Sequence, residues 1–487
     1  MTERARPHDR YEVVIGLEVH VHLNTESKLF SPAPVRYGEL PNHATHPLDL
    51  GLPGVLPVLN ARVVELGIRA ALATHCKVAP RSIFARKNYF YPDLPKGYQI
   101  SQYEEPLATS GWLEVEAVGG PVRVGLTRIH IEEDAGKSIH DAAIASADGT
   151  HIDLNRAGVP LLEIVSEPDL RSPEEAADYL RRLREILRWA GVSDADMEKG
   201  QFRCDANVSL RRYGERAFGT RTELKNLNSF RFIEEAIQAE IRRQADVIDG
   251  GGRVVQATMH YDPDRRTTRV MRLKENADDY RYFPDPDLVP LVIADAQIEA
   301  VRAALPELPE QRRARFERDY ALSAYDARLL NESRALADFF ETAAQASGKP
   351  KAVANWMLRD VLAYLKESGR EIEQVALTPA SIAKLVELVE GGRVTAASAR
   401  PLIAELMEHG GDVEALVRER GLEAVSDTGL LESAADAAIA AHADVAAQVR
   451  AGEDKGLNFL MGQVMKRTQG KADPKAVREI LTRKLRG

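Results

Sequence analysis

Acidic, histidine and basic side chains recur at every second position in several short segments of the first half of the chain. In Gly16–Leu23 the polar positions are Glu18, His20 and His22, and Phe202–Arg211 alternates in the same way. Carboxylates that bind Mg²⁺, beside Arg or Lys that contact phosphates, are the usual parts of a nucleotide site. A solvated sheet face is the alternative, and spacing alone leaves both open. The candidate residues are Glu18, His20, Glu132, Asp205 and Glu223, with Arg203, Arg221 and Lys225.

Two other kinds of site match part of this pattern. The Glu18–His22 segment is similar to the His-x-His of metal hydrolases, and His130, His140 and His151 are further nitrogen donors. The segments around those histidines do not form βα units, and an oxygen-rich cluster favours Mg²⁺ over Zn²⁺. Asp134–Ser138 ends like a phosphate-binding P-loop, but Ile131 stands where that motif needs glycine, so a P-loop is excluded.

The segment Arg86–Gln99 mixes basic residues with aromatics and contains two prolines and a glycine, which preclude a long helix. Basic groups interleaved with aromatics suit a nucleotide or an RNA end. A packed aromatic loop explains the same composition equally well.

The elements that position these residues follow from periodicity. Apolar residues alternate with polar ones in four segments, which predicts four strands: Tyr11–Leu23, Val122–Glu133, Phe202–Arg211 and Thr220–Lys225. Ser172–Glu175 is a capping box that predicts a helix ending at Gly191, and a second helix is expected to begin near Asn228. Irregular strand and helix order indicates an α+β fold with a mostly antiparallel sheet.

Composition limits the class of protein and divides the chain. The 487 residues carry a formal charge of −9, which excludes a uniformly basic nucleic-acid coat. The last segment, 455–487, holds nine Lys and Arg against two Asp and Glu, a charge of +7 that favours a phosphate-rich partner and leaves −16 for the rest. Candidates for that contact are Lys466, Lys471, Lys475 and Arg478. The expected domains are 1–293, 294–410 and 411–487, the last two helical.

Two cysteines, no apolar run of spanning length and no apolar segment near the start predict a cytoplasmic protein without a membrane segment.

Eight segments together resemble one family, the B subunits of the bacterial tRNA-dependent aspartyl/glutamyl amidotransferases. The most specific is Arg86–Tyr103 (RKNYFYPDLPKGYQISQY). The other matching segments are Gly16–Leu23, Ile131–Lys137, Asp153–Val165, Arg203–Ser209, Glu223–Ser229, Phe459–Lys466 and Gly470–Pro474.

The resemblance implies a cradle domain related to glutamine synthetase, followed by a helical domain and a tail domain. It implies ATP-dependent conversion of Glu-tRNA(Gln), Asp-tRNA(Asn) or both to the amide, after phosphorylation of the side-chain carboxylate. It places Mg²⁺ at the motifs that match Glu18, His20, Glu132, Glu133, Asp205 and Glu223, although Glu133 points to the opposite face of a regular strand. Lys87, Arg203 and Lys225 are the candidates for contacting phosphates.

The family resemblance also implies partners and one departure. The chain lacks the Gly-Gly-Ser-Ser signature of an amidase, so ammonia is expected from a separate amidase subunit, joined by a small bridging subunit. Many relatives bind zinc through a Cys-x-x-Cys before Gly-Leu-Pro-Gly. Here His46 and Asp49 occupy those positions, so zinc is not expected. The sequence does not decide which charged tRNA is used.

Overall fold

The computed structural model describes residues 10–139, 149–227, 229–273, 280–424, 428–452, 454–468 and 470–486. The chain divides into two compact units, one ending at Leu308 and the other beginning at Pro309. The finer division at 293 and 410 stays a prediction. His140 and Asn228, both named above, lie outside the described residues.

The first unit is built on strands. Their bounds are β1 Tyr11–His22, β2 Lys77–Val78, β3 Arg81–Ser82, β4 Ala85–Asn88, β5 Tyr98–Ser101, β6 Ala108–Ala117, β7 Gly120–Glu133, β8 Lys137–Ile139, β9 His151–Asp153, β10 Pro160–Ser166, β11 Phe202–Arg212, β12 Thr222–Leu227, β13 Ala257–Asp262, β14 Thr267–Leu273, β15 Phe283–Pro284 and β16 Leu291–Val292.

Nine of these strands form one sheet in the order β14-β13-β12-β11-β1-β10-β7-β6-β2. Every neighbouring pair is antiparallel except β12 and β13, which run parallel. The four strands predicted from alternation are all members, with β1 in the middle. The predicted α+β class with a mostly antiparallel sheet is therefore confirmed.

One face of this sheet is covered by helices α1 Ala61–Ala73, α2 Pro173–Trp189 and α3 Phe230–Asp249. The odd-numbered residues of β1, from Tyr11 to Val21, are buried against that layer together with the even-numbered residues of β11. Removing this apolar area from water is the main term that holds sheet and helices together. Strand alternation then leaves the polar side chains of β1 and β11 on the opposite face.

The two predicted helices of this unit are present. The Ser172 hydroxyl caps α2 by accepting a hydrogen bond from the Glu175 amide at 3.1 Å, and the helix ends just before Gly191, whose φ is +67°. The α3 helix begins after the N-cap Ser229. A fourth helix, α4 Asp295–Ala304, completes the unit.

The segment after residue 280 is tied to the first unit. Strand β15 pairs with β4, and β16 pairs with β3. The buried Asp285 carboxylate accepts a hydrogen bond from Arg86 at 2.8 Å. The proline-interrupted stretch around Asp285 is thus a packed part of the fold, and the compact unit continues to Leu308.

The second unit is helical. Its helices are α5 Pro309–Tyr320, α6 Ala324–Leu330, α7 Arg334–Ser347, α8 Pro350–Trp356, α9 Leu362–Ser368, α10 Pro379–Glu390, α11 Ala396–His409, α12 Val413–Glu419, α13 Thr428–Ala441, α14 Ala443–Arg450, α15 Asp454–Arg467 and α16 Pro474–Arg486. One π turn, Met357–Val361, joins α8 to α9, and a 3₁₀ turn, Ile372–Gln374, follows α9.

Helices α13 to α16 share a small core of their own. It includes the apolar stripes predicted for the tail, with Leu460 and Val464 on α15 and Val477 and Leu481 on α16. The predicted helical C-terminal region is therefore confirmed. Across the described ranges, no helix combines the length and apolar character that crossing a membrane requires.

Candidate active site

The register of five neighbouring strands places the predicted residues in one acidic strip across the polar face of the sheet. Glu18 of β1 lies opposite Asp205 of β11, and His20 lies between Arg203 of β11 and Glu163 of β10. Asn207 of β11 lies opposite Glu223 of β12, and Glu163 opposite His130 of β7. Directly opposite residues point to the same face, so these side chains line one surface.

At one end of the strip, His20, Glu132 and Glu163 converge. The His20 Nε2 atom lies 3.3 Å from Glu163 Oε2 and 3.8 Å from Glu132 Oε1. One ligand atom from each of the three lies within 4.8 Å of the others. Two carboxylates and one imidazole at this separation are a donor set for a divalent cation, in which the carboxylate oxygens are the ligands that suit Mg²⁺.

His130 borders this trio. The His130 Nε2 atom lies 3.5 Å from Glu163 and 3.7 Å from Glu132. Burial by itself lowers the pKa of His130, but the two carboxylates more than reverse that effect and raise it to about 9. Burial likewise raises the pKa of Glu163, but His130 and His20 hold it well below its ordinary value. Without a bound metal, the His130 imidazolium therefore balances the charge of these two carboxylates at neutral pH.

Glu163 was not among the predicted site residues. It lies in β10, whose sequence Pro160–Ser166 is apolar apart from this glutamate and the final serine. Such a run lacks the alternation that identified the other strands, because both faces of β10 are covered. The available signal was the single carboxylate in an otherwise apolar run, since a buried acid needs a partner.

At the other end of the strip lie Glu18, Asp205 and Glu223. Lys225 Nζ donates a hydrogen bond to Asp205 Oδ2 at 2.8 Å and lies 3.6 Å from Glu223 Oε1. The Asn207 amide donates to Glu18 at 2.9 Å. Burial and the neighbouring carboxylates raise the pKa of Glu18, which is the signature of crowded negative charge that a bound cation would relieve.

Glu133 is the one predicted metal residue that does not join the strip. The pairing of β7 with β10 stays regular at Glu132 and Glu133, so the two side chains point to opposite faces. Glu133 is buried, forms an ion pair with Lys96 and accepts a hydrogen bond from the Ile100 amide at 2.9 Å.

The Arg203 side chain contacts Asp134, an acidic residue that immediately follows the end of β7. Its Nη2 donates to Asp134 Oδ2 at 2.6 Å, and His22 Nε2 lies 2.7 Å from the same oxygen. Burial raises the pKa of Asp134, but Arg203, Arg156 and His22 outweigh that and hold it far below its ordinary value. His20 and His22 thus serve different carboxylates, and the arrangement does not resemble a shared zinc centre.

Lys87 comes from β4 and extends toward the strip. Its Nζ lies 5.0 Å from the centre of the Tyr280 ring. Burial lowers its pKa, yet attraction to Glu132 and other neighbours raises it overall, so the ammonium stays charged beside the acidic cluster. Tyr280 packs edge-on against Tyr282, whose ring stacks on Tyr103 with the centres 4.2 Å apart. The ring beside Lys87 therefore comes from outside the Arg86–Tyr103 region, and Phe90 and Tyr91 within that region are exposed.

A cavity of about 390 Å³ opens next to Glu18, within the size range of small-molecule sites. Its polar lining residues are Glu18, Thr127, Arg128, Ser166, Asn207, Ser209 and Arg221. Phe218 supplies an aromatic wall. The cavity therefore offers two guanidinium groups, hydroxyls and an aromatic face beside the carboxylates.

The position of the family zinc site is occupied differently here. Asp49 Oδ2 receives a hydrogen bond from Lys28 Nζ at 2.9 Å, and the His46 Nδ1 atom accepts one from the Leu48 amide. Both free cysteines, Cys76 and Cys204, are buried elsewhere in the described fold. These donors do not fit zinc, because a buried ammonium already occupies the carboxylate.

The tail residues predicted to contact tRNA lie on the last two helices and the turn between them. Lys466, Lys475 and Arg478 are exposed, and Lys471 is half-buried. Two other cations of this region are engaged within the tail: Arg483 pairs with Glu432, and Lys484 with Asp436 at 2.8 Å.

Two family models match the chain. The GatB/GatE catalytic domain matches residues 13–299, and the GatB domain matches residues 338–485. Relatives named as the B subunit of aspartyl/glutamyl-tRNA(Asn/Gln) amidotransferase align along nearly the whole chain. Those from Geotalea daltonii (52% identity), Geobacter sulfurreducens (50%) and Halorhodospira halophila (50%) each cover 98% of this chain and 100% of the relative. The chain belongs to the B-subunit family of the tRNA-dependent aspartyl/glutamyl amidotransferases.

Proposed function

We propose that this chain is the tRNA-binding and phosphorylating subunit of an amidotransferase that converts Glu-tRNA(Gln), Asp-tRNA(Asn) or both to the amide. A carboxylate oxygen of the charged amino acid attacks the γ-phosphorus of ATP, and ADP leaves. Ammonia then attacks the side-chain carbonyl carbon of the acyl phosphate. The bond from that carbon to the phosphate oxygen breaks, inorganic phosphate leaves with that oxygen, and the nitrogen loses a proton to give the amide. Phosphorylation is needed because the oxygen of an unmodified carboxylate is a poor leaving group, whereas phosphate is a good one.

The observation that carries this proposal is the strip of carboxylates with ammonium groups at its two ends. His20, Glu132 and Glu163 would hold one Mg²⁺, and Glu18, Asp205 and Glu223 have the composition to hold a second. When bound, Mg²⁺ neutralises the charge that develops on the transferring phosphoryl group. Glu133 was predicted as a further ligand, but its ion pair with Lys96 supports a structural role instead.

The residues around the strip support an ATP site. Lys87 and Lys225 are cations at opposite ends of the carboxylate row, and each is proposed to balance phosphate oxygens. The Arg203 side chain is 34% exposed, and its Nη2 atom pairs with Asp134. The cavity beside Glu18 has the volume and the aromatic wall for a nucleoside, with Phe218 as the stacking surface.

The partners follow from what the chain lacks and what its tail carries. Ammonia is proposed to come from a separate amidase subunit, with a small bridging subunit completing a heterotrimer. Lys466, Lys471, Lys475 and Arg478 are proposed to contact the tRNA backbone. The reaction is proposed to run in the cytoplasm, which suits the two free thiols.

The test is ATP hydrolysis by the purified complex with and without each misacylated tRNA, using ATP and glutamine. Asp205→Asn and Glu163→Gln are expected to lower tRNA-dependent turnover at least tenfold, because each removes a carboxylate proposed to hold metal. Glu114→Gln is the matched control, since Glu114 of β6 is a partly exposed glutamate that pairs with Arg123 near the start of β7.

The alternative function is a non-catalytic tRNA scaffold whose acidic strip is only a solvated face. In that case the strip variants would keep both turnover and tRNA affinity. The proposed function requires turnover to fall while tRNA affinity, measured by gel shift, stays within about twofold of the parent. Unchanged turnover in both strip variants would remove the phosphorylating role.

A further inference from the structure

Lys28 and Asp49 form an ion pair that is almost completely removed from solvent. Their side chains are 0% and 2% exposed, and Nζ lies 2.9 Å from Oδ2. Both belong to the long irregular connection between β1 and α1. A buried charge without a partner is strongly unfavourable, so each of these residues requires the other.

The pair joins three separate stretches of chain. Asp49 Oδ2 also accepts a hydrogen bond from the His46 amide at 2.9 Å, and Oδ1 accepts one from the Ser31 hydroxyl at 3.3 Å. Lys28 Nζ also lies 3.4 Å from the Leu154 carbonyl. A buried ion pair of this kind holds the segments of an irregular connection together, as a bound metal or a disulfide does in other proteins.

Gly158 brings the backbone close to the pair. A Cβ atom at this position would lie 2.8 Å from Asp49 Oδ1, and its φ is +81°. The Leu29 amide donates to the Gly158 carbonyl at 2.9 Å. The ion pair and the 154–159 segment are therefore packed against each other without an intervening side chain.

The 154–159 segment leads directly to the Asp134 cluster. The Gly158 amide donates to the Asp134 carbonyl at 2.9 Å, and the Arg156 guanidinium donates to the Ala135 and Gly136 carbonyls at 2.9 and 2.6 Å. Asp134 in turn fixes Arg203 at 2.6 Å. Hydrogen bonds joined by short stretches of backbone thus connect the buried pair to Arg203 of the strip.

We propose that Lys28 and Asp49 are positioning residues: their ion pair replaces a structural metal in this connection and, through the 154–159 segment and Asp134, sets the orientation of Arg203. The proposal rests on the proposed function only for the role of Arg203 toward phosphate. The cross-link itself stands on the contacts of the pair. Because Lys28 occupies the Asp49 carboxylate, the connection holds its shape without zinc.

The experiment compares three variants: Asp49→Asn, Lys28→Met, and the double variant. Either single change leaves a buried charge unpaired, and we expect Tm to fall by about 5–10 °C. The double change removes both charges, and the amide oxygen introduced by Asp49→Asn can still accept from the His46 amide, so we expect at least half of the lost Tm to return. Arg62→Met is the control, because its ion pair with Glu65 is exposed.

Metal content separates a metal-free cross-link from a hidden zinc site. The wild-type complex is expected to contain less than about 0.1 zinc per chain, and its Tm is expected to be unchanged by a chelator. Stoichiometric zinc, or a fall in Tm on chelation, would overturn the replacement of a metal. This measurement needs no activity, so it remains decisive even if the proposed function fails.

Kinetics of the double variant test the positioning role. With folding restored, loosening Arg203 is expected to raise KM for ATP at least threefold, while KM for charged tRNA stays unchanged. Unaltered kinetic constants in the folded double variant would show that the pair only stabilises the fold, and would overturn the positioning role. Equal rises in both KM values would also count against it.

Discussion

Replacing Glu163 by glutamine is expected to lower the pKa of His130 from about 9 to below about 7.5. The His130 Nε2 atom lies 3.5 Å from Glu163, and at an effective dielectric constant of about 20 this attraction amounts to about 5 kcal/mol. This attraction is larger than the free energy that corresponds to the rise in the His130 pKa, because burial of His130 opposes that rise. Glu132, at 3.7 Å, remains in the variant and preserves part of the effect.

The contact between Glu163 and His130 also determines how much folding stability the Glu163→Gln substitution removes. One pKa unit corresponds to about 1.4 kcal/mol, so the rise of the His130 pKa from 6.5 to about 9 corresponds to about 3.5 kcal/mol. Because the folded-state pKa is raised, this stabilisation is fully present below pH 6.5 and is lost as the pH rises through 9. The Glu163→Gln protein is therefore expected to be less stable than wild type at about pH 6 and nearly equal to it at about pH 9.5.

The assay is ¹³C NMR of ring-labelled histidine in Mg²⁺-free protein between about pH 5.5 and 10. A His130→Gln sample identifies the resonance, and Glu114→Gln shows the effect of a partly exposed glutamate. Added Mg²⁺ should lower the His130 pKa in wild type, since a nearby cation disfavours the imidazolium. If His130 still titrates near 9 in Glu163→Gln, Glu163 is not the source of its raised pKa, and the proposed cluster is incorrect.

Three further changes have defined outcomes. Glu163→Gln should raise the Mg²⁺ concentration for half-maximal turnover about 10–100-fold, and an unchanged midpoint would exclude it as a metal-holding residue. Glu240→Gln should lower the stability of the first unit by about 3 kcal/mol, because the buried Glu240 carboxylate pairs with Arg243 at 2.6 Å. Urea denaturation should show a clearly smaller loss of stability for the control Glu235→Gln on the helix surface. Charge reversal in the tail, at Lys466, Lys471 and Arg478, should raise KM for tRNA. It should also reduce the salt dependence of tRNA binding by about one log–log slope unit per lost phosphate contact. Equal tRNA affinity in the variant would contradict this prediction.

Sequence periodicity predicted the sheet where one face of a strand is covered by helices and the other is polar. Strands β1 and β11 meet that condition, and their observed bounds differ from the predicted ones by one residue. The pattern fails for β10, which is covered on both faces and shows no alternation. Glu163 escaped prediction for the same reason, although it contacts both His20 and His130.

The remaining parts of the site depend on contacts between distant residues. Asp134 and Arg203 are 69 positions apart, and Lys28 meets a carbonyl 126 positions later. Neither contact leaves a period or a local motif in the sequence. They form because a buried acid or ammonium must find an opposite charge, and the fold decides which one is within reach.

The acidic strip sets a condition on any phosphate-bearing substrate. Glu18, Glu132, Glu163, Asp205 and Glu223 supply five carboxylates, and most of the cations beside them are already paired with those same groups. Such a surface repels ATP and RNA unless bound divalent cations neutralise its negative charge. Under the proposed function, attraction of tRNA then has to come from elsewhere in the chain, and the +7 segment from 455 to 487 is the proposed place for it. Weakening the tail should therefore impair tRNA capture without changing Mg²⁺ dependence, and weakening the strip should do the reverse.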